Sequence, residues 1–353
     1  MKMFHRLFLP LIKLLSDPTV PRLVLLIGFV LTSGLAQVQA NSRVIATIPV
    51  GSFPDGIVVS PDSSTVYVSD EFTNTVSVID GVTNTLTATI PVGPAPGSLA
   101  ITPDGLTLYV LLQGIDGVQV INTATKTAGT VFGAGSIATQ LAVSPGGKYL
   151  YSVSQSGIEI VSTTTNTFVA QIMTGSNPAY EIVFSPEGNY AYALCALNYG
   201  TRAADGILQI NTVTLQQDQL LWGKLSDANN ITITPDGNKL YIGTLTASGT
   251  GAIEVYKISK NTILQSIPVP QLGGIQAAIT PDGKYLYYPD AGDVYVIKTT
   301  NNKVVGSPIP IGTDVLEVAI GPNGQHAYAI SSGNSGGIVS VIDIQTRGQL
   351  NKP

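Results

Sequence analysis

Side chains able to carry acid–base or metal chemistry are few in this sequence. The 353 residues include two histidines and a single cysteine, and only 11% of the residues are charged although 44% are hydrophobic. One thiol cannot build a disulfide framework, and the same shortage excludes a c-type haem site and a Cys/His zinc site. The high hydrophobic fraction excludes a disordered chain. The remaining candidates for chemistry are carboxylates and amides.

Such side chains recur at one position of a repeated pattern, five residues before a proline that follows a short apolar run. Converging carboxylates and amides can hydrogen-bond a small polar ligand or coordinate Ca²⁺, and ordered water is the alternative occupant. Candidate Ca²⁺ ligands are Glu181, Asn230 and Glu317. The column consists of Gly56, Ser98, Gln140, Glu181, Asn230, Gln276 and Glu317, and Asp55 and Asn229 directly precede two of its members. The predicted ligand-binding residues are Asp55, Gln140, Glu181, Asn230, Gln276 and Glu317.

Two further motifs imitate known sites without their context. Residues 333–337 match G-x-S-x-G, but that nucleophile needs a strand-to-helix turn and a nearby histidine. The nearest histidine, His326, starts the preceding strand, about 20 Å away at ~3.3 Å per residue. Residues 133–138 imitate a dinucleotide fingerprint in a turn that lacks the required βαβ unit. Neither motif predicts a site.

The polar column belongs to a sequence repeat that occurs seven times, and in each repeat a tyrosine lies six residues after the proline. The spacings between the prolines are 42, 42, 41, 49, 46 and 41 residues, and a period in the forties is typical of propeller blades. A tyrosine in every unit indicates packing between sheets rather than ligand stacking. The prolines are Pro61, Pro103, Pro145, Pro186, Pro235, Pro281 and Pro322, and the tyrosines are Tyr67, Tyr109, Tyr151, Tyr192, Tyr241, Tyr287 and Tyr328.

Each unit predicts four antiparallel strands, here called A to D from the centre outwards. The apolar run is strand A, and Pro-Asp-Gly turns such as residues 281–283 lead into strand B. No segment has a sustained 3.6-residue apolar period, so we expect almost no helix. The seventh unit lacks strand D, whereas residues 43–51 are a near copy of one. The predicted fold is therefore all-β, a single seven-bladed β-propeller of four-stranded antiparallel blades whose N-terminal strand completes the last blade.

The first 40 residues predict a signal peptide, because residues 23–36 form a charge-free apolar run too short to span a bilayer, with basic residues before it. A retained membrane anchor is the alternative. The mature domain, residues 41–353, would carry 13 basic and 21 acidic residues, a net charge of −8. We therefore expect an exported monomer in the periplasm, on the cell surface or outside the cell, without membrane insertion after cleavage. An acidic protein is a poor partner for nucleic acid.

The stretch TVYVSDEFTNTVSVIDGVTNTLTATIPVG, residues 65–93, resembles the YVTN-type β-propeller repeat of exported bacterial proteins and archaeal surface-layer proteins. The signature tetrapeptide here is Tyr67-Val68-Ser69-Asp70, so its last two positions depart from the family pattern. The resemblance spans residues 43–347. It implies a propeller fold and leaves the function open, because propellers host many unrelated activities.

Strand order places the D–A and B–C connections on one side of the ring, here called the top face, and the A–B and C–D turns on the bottom face. Longer B–C connections are predicted at residues 198–205, 246–251 and 331–337, all on the top face. Long loops concentrate binding residues, although neutral drift in permissive loops explains them equally well. Arg202 and Asp205 are the candidate binding residues of the first loop.

These features favour a non-enzymatic binding module that presents its channel mouth and B–C loops to an unknown protein or a small polar ligand. No cofactor is predicted apart from the candidate calcium. The alternative is an enzyme similar to calcium-dependent propeller lactonases, which place acidic and amide ligands at the channel mouth. A propeller dehydrogenase with a quinone cofactor is a further alternative with less support from the residues.

Overall fold

The structure is a computed structural model of the 353-residue chain and describes residues 43–135, 137–174, 178–196, 205–225, 227–245, 249–270, 274–333 and 336–344. Within these ranges the side chains of residues 196, 205, 222–224 and 333 are outside the description. The predicted signal peptide also lies outside the described residues. In the described part of the chain, no helix is both long and apolar enough to cross a membrane.

The described chain forms a seven-bladed β-propeller, as predicted from the repeats. Each of the seven sheets is antiparallel and runs in the order A-B-C-D. Strand A of each blade contacts strand A of the next, and blade 7 contacts blade 1, so the ring is closed. The helices of the described residues are two three-residue 3-10 turns, Gln113–Ile115 and Ile258–Lys260.

The first four blades have regular strands that alternate in direction between the two faces. Blade 1 contains Pro54–Val59, Thr65–Asp70, Thr75–Asp80 and Thr85–Pro91. Blade 2 contains Pro96–Ile101, Thr107–Leu112, Gly117–Asn122 and Thr127–Gly133. Blade 3 contains Ala138–Val143, Tyr149–Ser154, Gly157–Ser162 and Thr167–Ile172. Blade 4 contains Ala179–Phe184, Tyr190–Ala196, Asp205–Asn211 and Gln216–Leu225.

The last three blades are less regular, and strand D of blade 6 is split in two. Blade 5 contains Asn230–Ile233, Lys239–Leu245, Gly251–Lys257 and Thr262–Val269. Blade 6 contains Ala278–Ile279, Tyr285–Asp290, Asp293–Lys298, Lys303–Val304 and Ile309–Pro310. Blade 7 contains Val315–Ile320, His326–Gly333 and Gly336–Asp343, and its fourth strand is Arg43–Val50.

The N-terminal strand closes the ring, as the near-copy of strand D predicts. Arg43–Val50 pairs antiparallel with Gly336–Asp343, and Ile48 lies opposite Val339. Ile48 is 4% exposed and packs in the cluster between blades 7 and 1. This pairing leaves strand C of blade 7 without an open edge, so the two ends of the domain hold each other.

The A–B turns are closed by the side chains that the sequence repeats there. In blade 6 the Thr280 hydroxyl donates to Asp282 Oδ1 at 2.7 Å, and the same oxygen accepts the backbone N–H of Lys284 at 3.1 Å. Gly283 has a φ of +70°, which glycine adopts without steric cost. The Pro-Asp-Gly segment therefore fixes a tight hairpin on the bottom face.

The hydrophobic core consists of seven clusters, each lying between two adjacent blades. All seven repeated tyrosines are buried in these layers, which confirms their predicted packing role. Several also reach the C–D turn of the next blade: the Tyr241 hydroxyl donates to Asn302 Oδ1 at 2.8 Å, and the Tyr109 hydroxyl donates to Asn166 Oδ1 at 3.1 Å. The tyrosine column thus fastens the bottom edges of neighbouring blades.

One predicted loop is wrong. Residues 331–337 of blade 7 were expected to form a long B–C loop, but strands B and C extend through most of it. Ser331 pairs with Ile338 and Ser332 pairs with Gly337. Gly336 has a φ of +137°, a conformation that side-chain-bearing residues rarely adopt and that lets the hairpin turn tightly. Ser331, Ser332 and Gly337 therefore extend strands B and C of blade 7.

Candidate binding site at the channel mouth

The innermost strands of blades 1, 5, 6 and 7 line a cavity of about 310 Å³. Gln276 and Glu317 line its top end, and Pro235 and Pro322 line its bottom end. The wall between them is made of small and aliphatic side chains from strand A, such as Ala278 and Ala319. The structure therefore agrees with the predicted narrow channel with a polar mouth on the top face.

The polar column has a structural role that the sequence did not reveal. In four blades its side-chain oxygen accepts the backbone N–H of the residue that follows the column position in the next blade. Gln140 Oε1 accepts from Ile182 at 2.6 Å, Glu181 Oε2 accepts from Ile231 at 2.7 Å, and Glu317 Oε2 accepts from Ile57 at 3.3 Å. Ser98 Oγ accepts from Leu141 in the same way at 3.1 Å. These side chains join neighbouring blades around the channel.

Asn230 and Gln276 interact differently. The Asn230 amide donates to the Gly274 carbonyl at 3.1 Å, and its Oδ1 accepts the N–H of Gly243 at 3.2 Å. Both polar ends of this buried amide therefore bond to backbone. The backbone of Gln276 forms a parallel β-bridge with the backbone of Glu317. The backbone carbonyl of Gln276 accepts the N–H of Val318 at 3.0 Å. Its half-buried side chain lines the cavity.

Glu181 and Glu317 form a pair of buried carboxyl groups at the mouth. Glu181 is 3% exposed and Glu317 is 7% exposed. Burial raises the pKa of both well above the usual range, and the N–H donors from Ile231 and Ile57 only partly offset this. The charge of Glu317, in blade 7, also raises the pKa of Glu181, in blade 4.

Asp55 joins this pair as a third carboxyl. Its side chain is half-buried, and Gln113 Nε2 donates to its Oδ2 at 3.4 Å. Burial, followed by the charge of Glu71, raises the pKa of Asp55 to about 6. The charge of Asp55 in turn raises the pKa of Glu317. Acidic groups on the top face thus oppose each other's ionisation.

The structure describes only some of the other residues that were predicted to bind a metal or a ligand. Among the described residues, no group of three or more His, Cys, Asp or Glu side chains is placed to hold a metal ion. Calcium at Glu181, Asn230 and Glu317 relies on an amide ligand and stays a prediction. Arg202 lies outside the described residues. Asp205 starts strand C of blade 4, but its side chain is outside the description.

The described basic side chains are confined to the bottom face, which carries acidic side chains such as Asp62 and Asp104 as well, and we call this the division of charge. All nine Lys and Arg residues with described side chains lie in bottom turns or at the bottom ends of strands. The top face has ten acidic side chains and no basic one within the same described part of the chain. The basic residues are Arg43, Lys126, Lys148, Lys239, Lys257, Lys260, Lys284, Lys298 and Lys303. The acidic ones are Asp55, Asp70, Glu71, Asp116, Glu181, Asp227, Asp290, Asp293, Asp314 and Glu317.

The top face also exposes large apolar side chains. Phe53, in the D–A connection before blade 1, stacks on Phe72 in the B–C turn of the same blade, with ring centroids 5.0 Å apart and planes at 19°. Phe53 is 36% exposed and Phe72 is 67% exposed. The other exposed apolar residues of these connections are Ile115, Ile137, Met173 and Ile275. Acidic and apolar groups therefore share one surface.

Sequence reasoning identified the mouth but missed this division of charge. The signal was present, because each lysine can be assigned to a strand end from its offset to the repeated proline. Lys148 and Lys284, for example, both stand three residues after it, in the A–B turn. The stacked phenylalanines had no such signal, since neither recurs in the other blades.

Comparison with known proteins supports the architecture. No protein-family model and no curated protein matches the sequence. A solved chain titled hydrazine synthase, from Kuenenia stuttgartiensis, is similar with a TM-score of 0.73 and 20% sequence identity. The similarity covers 88% of this chain and 98% of that chain. At this identity the likeness concerns the propeller fold alone, and the resemblance to YVTN repeats stays a prediction.

Proposed function

We propose that the protein is an exported, non-enzymatic binding module of the cell envelope, and that its top face engages the ligand or partner. The observation that carries this proposal is the division of charge. Ten acidic side chains and no basic one are described on the top face, whereas nine basic side chains are described on the bottom face. A surface of one sign attracts ligands of the opposite sign and speeds their encounter.

The exposed apolar side chains around the mouth support the same conclusion. Contiguous apolar groups with polar neighbours are typical of interaction surfaces. The column carboxylates support binding rather than catalysis, because Glu181 and Glu317 each use one oxygen to hold the next blade. A reaction that required either carboxyl group to move would break its hydrogen bond to the backbone of the next blade.

The experiment uses two charge variants of the purified full-length mature domain. Glu71→Gln with Asp314→Asn removes two charges from the top face, and Glu187→Gln with Asp343→Asn removes two from the bottom face. Each protein is immobilised, incubated with cell-envelope extract, and its captured partners are quantified by mass spectrometry. The proposal expects capture that falls several-fold for the top variant and is unchanged for the bottom variant. Equal capture by all three proteins would contradict it.

The hydrolase alternative is favoured by one observation, the buried pair Glu181 and Glu317, because such carboxyls are suited to cation or acid–base chemistry. Lactone hydrolysis is therefore measured with and without CaCl₂. Turnover that requires calcium and is lost in Glu181→Gln would replace the binding proposal. A calcium-dependent rise in melting temperature that disappears in the same variant would assign the metal site.

Export is tested separately from binding. The predicted leader makes residue 41 the first residue of the mature chain. N-terminal sequencing of protein recovered from the periplasm or medium should find this start. Recovery of the full-length chain in the membrane fraction would instead favour the retained anchor. We expect the mature protein to elute as a monomer and to bind no nucleic acid, because the acidic top face repels phosphates.

A further inference from the structure

We infer that the ligand of the top face is a basic polypeptide segment whose arginine or lysine side chain enters the channel mouth between Glu181 and Glu317, while its neighbouring apolar side chains pack on Phe53 and Phe72. This rests on the proposed function and gives the partner a chemical class. Four features support it: an unpartnered oxygen in the mouth, the number of free acceptors, the lack of a described counter-charge, and the apolar rim.

The unpartnered oxygen belongs to Glu181. Its Oε2 accepts the N–H of Ile231, but Oε1 has no hydrogen-bond partner among the described residues. A buried polar atom without a partner costs free energy, and native structures keep few of them. Glu181 and Glu317 occupy the same column position near the top ends of strand A in blades 4 and 7, so a donor placed between them would serve both carboxyls. The site therefore lacks a donor, and a positively charged one fits best.

The number of free oxygens favours an organic cation over calcium. Calcium takes six to eight oxygen ligands. Here one oxygen of each carboxyl already accepts a backbone N–H, and both ends of the Asn230 amide bond to backbone. An ammonium has three donors and a guanidinium has five, so either can use the few acceptors that remain. Arginine adds a planar fork that matches a carboxylate.

No described side chain supplies this positive charge from within. The nine described Lys and Arg side chains lie at the bottom ends of the blades. The one ion pair among the described residues, Lys284 with Asp282, is also there, at 2.9 Å. Among the described side chains, none supplies a positive charge to the carboxyls of the mouth, so a cationic ligand would complement them.

The apolar rim indicates a polypeptide rather than a small cation. A small cation would fill the mouth and leave the stacked Phe53 and Phe72 uncovered. Both rings belong to the connections of blade 1, and Phe53 directly precedes strand A of that blade, which carries Asp55 near its top end. A segment with apolar residues beside its basic one can cover the rings and fill the mouth together. Aromatic faces also attract cations, which favours the same composition.

The test uses the synthetic peptide acetyl-Ala-Phe-Arg-Leu-Ala-amide, with isothermal titration calorimetry on the mature domain. The control peptide carries citrulline, which keeps the shape of arginine without its charge. The arginine peptide should bind at least tenfold more tightly than the citrulline peptide. Raising the salt concentration should weaken the arginine peptide more than the citrulline peptide, since exposed charge interactions are screened.

Matched protein variants locate the site. Glu181→Gln with Glu317→Gln should lower the affinity for the arginine peptide at least tenfold, and Phe72→Ser should lower it by a smaller factor. Glu187→Gln, on the bottom face, should bind as the parent protein does. Circular dichroism and the melting temperature verify that each variant is folded.

Three results would overturn the inference. The first is equal affinity for the two peptides, and the second is unchanged binding by the double glutamine variant. The third is heat of binding with CaCl₂ alone and none with either peptide, which would favour the metal. If the peptide fails while envelope capture still depends on Glu71 and Asp314, the top face remains the binding face and only the class of ligand is wrong.

Discussion

Carboxyl groups on the two faces of the ring differ in the direction of their pKa shifts. On the bottom face, the Thr102 hydroxyl and the Leu106 N–H donate to Asp104 and lower its pKa, and Ser60 and Ser64 do the same for Asp62. On the top face, burial raises the pKa of Glu181 and Glu317. One repeat therefore produces a bottom face where hydrogen-bond donors lower the pKa of the acids, and a top face where burial outweighs the donors and raises it.

The difference teaches that both faces join neighbouring blades, but that only the bottom face does so with groups whose charges are balanced by local donors. Bottom turns bond internally, and repeated tyrosines reach the next blade there, as Tyr241 does with Asn302. The top face also has side-chain hydrogen bonds between blades, but its carboxyl groups have no basic partner among the described residues. A fold that is stable without its upper loops can vary them for recognition, which is where binding residues concentrate in many folds.

The largest expected effect compares one aromatic side chain from each face. Tyr241→Ala removes a buried ring between blades 5 and 6 and should lower the free energy of unfolding by about 3–5 kcal/mol. Phe72→Ala removes a ring that is 67% exposed and should change it by less than about 0.5 kcal/mol. Urea denaturation of both variants measures the contrast. Similar losses for the two would mean that the top face also carries the fold.

A smaller effect, of opposite sign, is expected from the mouth carboxyls. Because their pKa is raised in the folded protein, it binds more protons than the unfolded chain, and stability falls as pH rises through the folded pKa. Glu181→Gln with Glu317→Gln should therefore raise the melting temperature by a few degrees at pH 8 and change it little near pH 4. Scanning calorimetry at both pH values measures this. A lower melting temperature at pH 8 would show that the ionised pair stabilises the fold.

The smallest effects concern single acids on each face. Asp104→Asn should lower stability at pH 7, because a carboxyl with a lowered pKa stabilises the fold above its unfolded pKa, and the loss should shrink as the pH falls below that unfolded pKa. Asp55→Asn should have the opposite effect and raise stability at pH 8, since the pKa of Asp55 is raised to about 6. Both changes should stay within about 1 kcal/mol, measured by urea denaturation across pH. Shifts of the same sign would remove the contrast between the faces.

Much of the fold could be predicted from the sequence because its determinants are local and repeated. The prolines, the tyrosines and the Pro-Asp-Gly turns recur at fixed offsets, and the copy of strand D at residues 43–51 predicted the closure of blade 7. The extended hairpin of blade 7 was missed because serine and glycine are typical of loops and of tight strand turns alike.

The position of the candidate site could be predicted from the sequence, but the hydrogen bonds made by its side chains could not. The offset to the proline located Gln140, Glu181 and Glu317 at the mouth. Their bonds to the backbone of the next blade depend on the stagger between blades, which no pattern within one repeat encodes. The same holds for Asn230, whose partner Gly274 lies in the connection to the next blade. The Phe53–Phe72 stack depends on two side chains that do not recur in the other blades, although the backbone turn at Phe53 does recur, as at Ala95 and Ile137.

The most direct test of the account is hydrogen–deuterium exchange of the mature domain with and without the arginine peptide at saturating concentration. The account predicts slower exchange in the top connections of blade 1, around Phe53 and Phe72, and at the start of strand A in blades 4 and 7, which carry Glu181 and Glu317. The A–B turns, such as residues 281–284, should exchange unchanged. Protection confined to these bottom turns, with the top connections unaffected, would contradict the claim that the top face is the binding face.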